Sequence, residues 1–137
     1  MVIATPGPTK MAVTVDGPLG SLWEAAESAL KEAAAIVFVG YRFPPTDSAA
    51  RRILIEAIGE NEAHHLTLHT VLGPNVHSAK AARLESMLRS AMERAGRSEM
   101  RHPTGTGGTS GYYLRAHPLW AEDFLDLFDP DRLYRHD

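Results

Sequence analysis

The stretch richest in chemistry is Gly40 to Asp47, GYRFPPTD. Gly40 lets the backbone turn sharply and approach a ligand closely. Tyr41 can stack or hydrogen-bond, and Arg42 can grip a phosphate through two parallel bonds. Pro44 and Pro45 stiffen the loop. Asp47 is placed to cap a following helix, whose free N–H groups and dipole favour an anion. A tight strand-to-helix turn with a capping aspartate uses the same residues, and on spacing alone that plainer reading is preferred.

Other candidates carry less. His64, His65, His69 and His77 invite a metal, and His65 and His69 have the spacing that would align two ligands on a helix. The segment reads as a strand, however, and no HExxH glutamate accompanies it, so the histidines read as adventitious. Gly105, Gly107, Gly108 and Gly111 make a loop able to cradle phosphate. It has neither the G-x-G-x-x-G register nor a P-loop lysine and leads into Tyr112-Tyr113, so residues 103–111 read as a flexible glycine-threonine loop. Glu122, Asp123, Asp126, Asp129 and Asp131 fall mostly on the polar face of an amphipathic segment, where solvation is the default. Ser78 and Ser110 have no evident base partner, and no nucleophilic triad is visible.

The elements that must position these residues follow from periodicity. Residues 1–20, with three prolines and three glycines, form an extended N-terminal segment in which Met11 to Val15 suits an edge strand. Ser21 and Glu24 have capping-box spacing, and Leu22, Ala26, Ala29, Leu30 and Ala33 recur at helical intervals, giving a helix over 21–34. Ile36-Val37-Phe38-Val39, bounded by Gly40 and the proline pair, reads as a central strand buried on both faces. Ala50, Ile53, Leu54, Ala57 and Ile58 mark the next helix, stopped at Gly59, and Leu66 to Leu72 the next strand, ended by Gly73-Pro74. A longer helix spans about 78–95 with Leu84, Met87, Leu88 and Ala91 inward. Tyr112 to Ala116 is a short strand, and Trp120, Phe124, Leu127 and Phe128 form the buried stripe of a last helix. The alternation predicts one domain over 1–137, a three-layer α/β/α sandwich on a mostly parallel, Rossmann-like sheet. Ligands on such sheets bind beyond the carboxyl ends of the strands, here the loops Gly40 to Asp47 and Gly73 to His77.

The string GYRFPPTD resembles the G-Y-S-[LF]-P-P-T-D signature of bacterial sirtuin-like domains, and the Leu22-Trp23-Glu24-Ala25-Ala26 helix ahead of an apolar strand is similar too. Val71-Leu72-Gly73-Pro74-Asn75 resembles the family's later V-V-N-P-type strand end. The likeness covers roughly residues 10–94. It implies NAD or ADP-ribose as ligand, with the motif's glycine and hydroxyl residue at the ribose and phosphate; Gly40 matches that glycine, Tyr41 the motif's aromatic and Asp47 its aspartate, with Asn75 at the adenosine end. Gly73-Pro74 displaces Asn75 from strict correspondence. Arg42 replaces a serine, and a long cation there either grips a phosphate or fills the pocket. The family's glycine-rich first loop, Gln-Asn pair and catalytic histidine have no counterpart in the first twenty residues. The resemblance therefore implies the second half of such a domain, a nucleotide-binding module without catalysis of its own.

Bulk properties narrow the alternatives. A net charge of −3 argues against a general electrostatic nucleic-acid binder. With no cysteine, disulfides, thiolate nucleophiles and cysteine zinc sites are excluded. The N-terminus has no signal-like apolar run, and the longest apolar stretch, Ala33 to Val39, is far short of the roughly 20 residues a bilayer requires. The expectation is a soluble cytoplasmic protein without membrane partners. Two further functions stay open: an interaction protein whose open sheet edge is covered by a second copy or another subunit, and an NAD-consuming hydrolase or deacylase completed by a partner chain.

Overall fold

A computed structural model describes residues 20–40, 48–103 and 110–131, with the side chains of 20–22 left aside. The edge strand expected at Met11 to Val15 and residues 104–109 of the glycine loop lie outside the described residues, as does the side chain of Ser21, the expected cap. The elements in order are α1 (Gly20–Glu32), β1 (Ala35–Val39), α2 (Ser48–Gly59), β2 (His65–Val71), α3 (Ala79–Arg94), β3 (Ser98–Glu99), β4 (Gly111–His117) and α4 (Ala121–Asp126). The chain is an α/β protein on a four-stranded, all-parallel sheet of order β1-β2-β4-β3.

The apolar residues of α2 and α3 explain why those helices form and where they sit. Ala50, Leu54, Ala57 and Ile58 face inward from α2, and Ala81, Leu84, Leu88, Ala91 and Met92 from α3. They meet Leu30 of α1 and one face of the sheet, formed by Ile36, Phe38, Leu66, Leu68 and Tyr112. The steps from β1 to β2 and from β2 to β4 run in one direction across the sheet. Crossovers of one hand then place α2 and α3 on the same face. The opposite face carries Ala35, Val37 and Val71 against Phe124 of α4.

The three long described helices share one core on one face of the sheet, and the six-residue α4 is described on the other. β1 ends the described strand order, with β2 inside it, and the edge strand expected at Met11 to Val15 is not among the described residues. Ile36 and Val37 are fully buried because both faces of β1 are covered. The last helix differs from expectation. Trp120 is its N-cap in extended conformation and Leu127 its C-cap, so neither lies on the helical stripe, and they are 57% and 60% exposed.

The ends of α3 are well specified. Ser78 caps its start, accepting from the Ala81 N–H at 3.2 Å. At its other end the Gly96 N–H donates to the Glu93 carbonyl and the Arg97 N–H to the Met92 carbonyl, a Schellman motif. Gly96 sits at φ +78, a conformation costly for a residue with a Cβ. That turn sends Arg97 back into the protein, where it is 7% exposed. Its guanidinium donates to the carbonyls of Ala63 (2.6 Å), Asn61 (2.8 Å), Gly111 (3.0 Å) and His64 (3.5 Å) and to Asn61 Oδ1 (3.4 Å). Asn61 in turn donates through Nδ2 to the carbonyls of Leu30 and Ala33, at 2.6 and 2.8 Å. Burial lowers the Arg97 pKa from its ordinary value, yet an arginine remains cationic at any ordinary pH. No carboxylate neutralises it among the described residues.

Short β3 is held from the side. Arg89 of α3 reaches Glu99 with Nε and NH2, at 3.3 and 3.4 Å, and the Tyr112 hydroxyl donates to the same carboxylate at 3.5 Å. Burial, with the Glu99 charge, raises the Tyr112 phenol above its ordinary pKa.

Arg97→Met should strand several buried acceptors at once. The expected loss is about 3 kcal/mol, or roughly 10 °C in Tm, read by thermal denaturation. A loss under about 1 kcal/mol would mean the carbonyls find other donors. A phenol whose folded pKa is raised contributes stability that is complete below its unfolded pKa, about 10, and is lost as pH rises through the folded value. Tyr112→Phe should therefore flatten the fall of the urea midpoint above about pH 10, against wild type in the same series.

Candidate functional site

Three strand ends are gathered at the carboxyl edge of the sheet. β1 runs into Gly40 (φ +73), whose N–H donates to the Val71 carbonyl at 2.9 Å. Beyond β2, the Gly73 N–H donates to the Leu119 carbonyl at 3.0 Å, and the Leu119 N–H donates to the carbonyl of His117, the last residue of β4, at 2.9 Å. The Trp120 ring lies over Gly73 so closely that a Cβ there would stand 3.0 Å from it. Glycine is required by that approach as well as by its φ of +103. The edge thus presents two glycines at neighbouring strand ends and an exposed indole.

Below the edge, the sheet face toward α4 is unexpectedly polar. In parallel register Thr67, His69 and Val71 of β2 lie beside Tyr113, Arg115 and His117 of β4, and beside Ala35, Val37 and Val39 of β1. Thr67 and His69 are fully buried and His117 nearly so. His69 Nδ1 and His117 Nε2 are 2.9 Å apart, so one donates and the other accepts. The rings stack at 5.1 Å, and Phe124 meets His117 edge-on at 5.2 Å. Parallel strands buried on both faces are usually continuous apolar runs. A buried imidazole pair in such a sheet departs from that pattern, and the hydrogen bond between the rings satisfies one nitrogen of each.

Of the residues picked out in the sequence, Gly40 stands at this edge, exposed, as the carboxyl-end rule requires. Asn75 lies in the loop from β2 to α3, also exposed. Its Oδ1 accepts from the His77 N–H at 3.1 Å and its carbonyl from the Ser78 N–H at 3.3 Å, so it shapes the turn into α3. Tyr41, Arg42 and Asp47 lie outside the described residues. His64 and His65 sit at the opposite end of β2, with ring centroids 4.5 Å apart. On a strand, four residues separate His65 from His69 by about 13 Å, which rules out chelation by that spacing. Among the described residues no group of three or more His, Cys, Asp or Glu could hold a metal ion. No helix among them is long and apolar enough to cross a membrane.

The imidazole pair, Thr67 and Arg115 were missed at the level of sequence, although a signal existed. HLTLHTV and YYLRAH both alternate, with Thr67, His69, Arg115 and His117 on one phase and Leu66, Leu68, Tyr112 and Leu114 on the other. Two half-polar strands paired in parallel put those polar residues on one face. No known protein family, curated protein or solved structure matches the chain.

A double-mutant cycle on His69→Leu and His117→Leu should return a coupling of about 1 kcal/mol in unfolding free energy. Additivity within about 0.3 kcal/mol would show that the 2.9 Å contact contributes nothing to the fold.

Proposed function

We propose that the chain binds a phosphate-bearing nucleotide, NAD or ADP-ribose, across the carboxyl edge of its sheet. The observation that carries this reading is the buried polar patch of Thr67, His69 and His117 under that edge, with Gly40, Gly73 and the exposed Trp120 ring at the strand ends above it. Four features support it. Carboxyl ends of parallel strands are where such sheets hold ligands. The glycines, without a Cβ, let a ligand approach the backbone closely, and an exposed indole offers a face on which a nucleobase stacks. The resemblance of GYRFPPTD to the sirtuin-like signature supplies Tyr41 as a further ligand contact, and Arg42, where the signature has serine, is a cation able to grip a phosphate. In this reading the imidazole pair braces the floor of the site, and the chain binds without cleaving.

Thermal denaturation with millimolar NAD, ADP-ribose or inorganic phosphate tests it. A ligand at 100 times its Kd adds about 2.7 kcal/mol, roughly 10 °C for a domain of this size. Gly40→Val should abolish the shift and leave the fold intact, and Arg42→Ala should weaken binding by about 1.5–3 kcal/mol. No shift with NAD or ADP-ribose sinks the proposal. A shift that survives Gly40→Val moves the site elsewhere, and tighter binding by Arg42→Ala makes Arg42 a plug.

A further inference from the structure

On the outer side of the long helices, α2 and α3 leave a groove between them, with adjoining hollows of about 560 and 350 Å³. Ile55 and Met87 give it an apolar floor, Arg51, Arg52 and Arg94 stand around it, and Glu56 lines the smaller hollow. None of these arginines makes an ion pair or side-chain hydrogen bond among the described residues. Three guanidiniums against one carboxylate around an apolar strip form a surface for something both acidic and greasy.

The chain carries such a surface itself. Glu122, Asp123 and Asp126 project from α4 on the side away from Phe124, equally without ion pairs among the described residues. Leu125 and Leu127 flank that acidic ridge, 48% and 60% exposed. The two surfaces match in charge and in having apolar residues beside the charges. They cannot meet within one molecule: the groove lies outside the helices that cover the Ile36 and Phe38 face, while α4 packs on the Val37 face.

We propose that one copy of this chain docks its acidic α4 ridge into the arginine-lined α2–α3 groove of a second copy. Acceptor and donor are different surfaces on opposite sides of the sheet, so the contact is heterologous. It propagates head-to-tail, closing into a ring or extending as a chain. Because the charges are exposed, association weakens as salt rises.

Sedimentation of the whole chain from micromolar to millimolar concentration, at low and high salt, reads this directly. Wild type should associate at low salt and dissociate at high salt. Arg52→Glu with Arg94→Glu, and separately Asp123→Arg with Asp126→Arg, should each raise the dissociation constant at least about tenfold. An equimolar mixture of the two charge-reversed proteins should associate again, since each then offers the other a complementary surface, and that rescue also shows both to be folded. Should either protein fail to fold, Arg52→Gln with Arg94→Gln and Asp123→Asn with Asp126→Asn give the milder form of the test, each expected to weaken self-association. Wild type that stays monomeric at millimolar concentration in low salt overturns the proposal. So does association indifferent to both variants, or a mixture of folded variants that fails to recover it.

Discussion

The guanidinium of Arg97 donates to carbonyls from both ends of the loop before β2 and from the first residue of β4, and the amino edge of the sheet depends on it. Through Asn61 the same network takes up the carbonyls of Leu30 and Ala33, which the end of α1 leaves without helical partners. Burying a cation with no anion beside it would be prohibitive if its donors were left idle. Here the planar fork of arginine distributes them over five oxygens, which a lysine ammonium could not reach together. The geometry rests on the residue before it. Gly96 must adopt its left-handed turn for Arg97 to point inward, so the end of α3 and the closure of the sheet are one event.

With the amino edge closed in this way, the carboxyl edge is where the two strand-end glycines and the unusual side chains gather. The sheet divides its residues accordingly. One face is apolar from β1 to β4 and carries the long helices, and the other sets threonine, histidine and arginine among valines. Hydrophobic burial on the first face is sufficient to place the helices, since burying each large apolar side chain contributes about 1.5–3 kcal/mol. The second face gives up part of that stabilisation to hold polar groups, an arrangement characteristic of sites shaped by function.

Much of this was legible in the residues. The helices were recoverable because their apolar positions recur at three and four, as in Leu84, Leu88 and Ala91, and because Ser78 and Gly96 mark the ends of α3. The strands followed from β-branched runs between turn residues. Strand order was not legible: Ile36 and Val37 are buried by covers on both faces, and burial alone carries no information about which edge is paired. Trp120 and Leu127 were misplaced because the helical stripe was extended through both caps of a six-residue helix. At the site, Gly40 could be placed from its position after an apolar strand. The His69–His117 contact could not be read from either histidine alone, since it joins residues 48 apart through the register of β2 on β4. Noticing that both strands alternate would have placed them on one face, although not on adjacent rows.

The net charge of −3 hides two surfaces of differing charge. Among the described residues, arginines without ion pairs stand around the α2–α3 groove, which Glu56 also lines, while carboxylates without ion pairs project from α4 on the other side of the sheet. The nucleotide site proposed at the carboxyl edge adjoins the groove, since α2 directly follows Gly40 to Asp47. Binding and association can influence one another only through an element that makes different contacts in the two states. Among the described elements α2 is the one placed to do so, because its first turn directly follows the Gly40 to Asp47 segment and its Ser48 and Arg51 line the groove. Any coupling between ligand and self-association should thus be carried by the position of that one helix, whereas α3, fixed at its end by the Arg97 network, holds the other wall of the groove still.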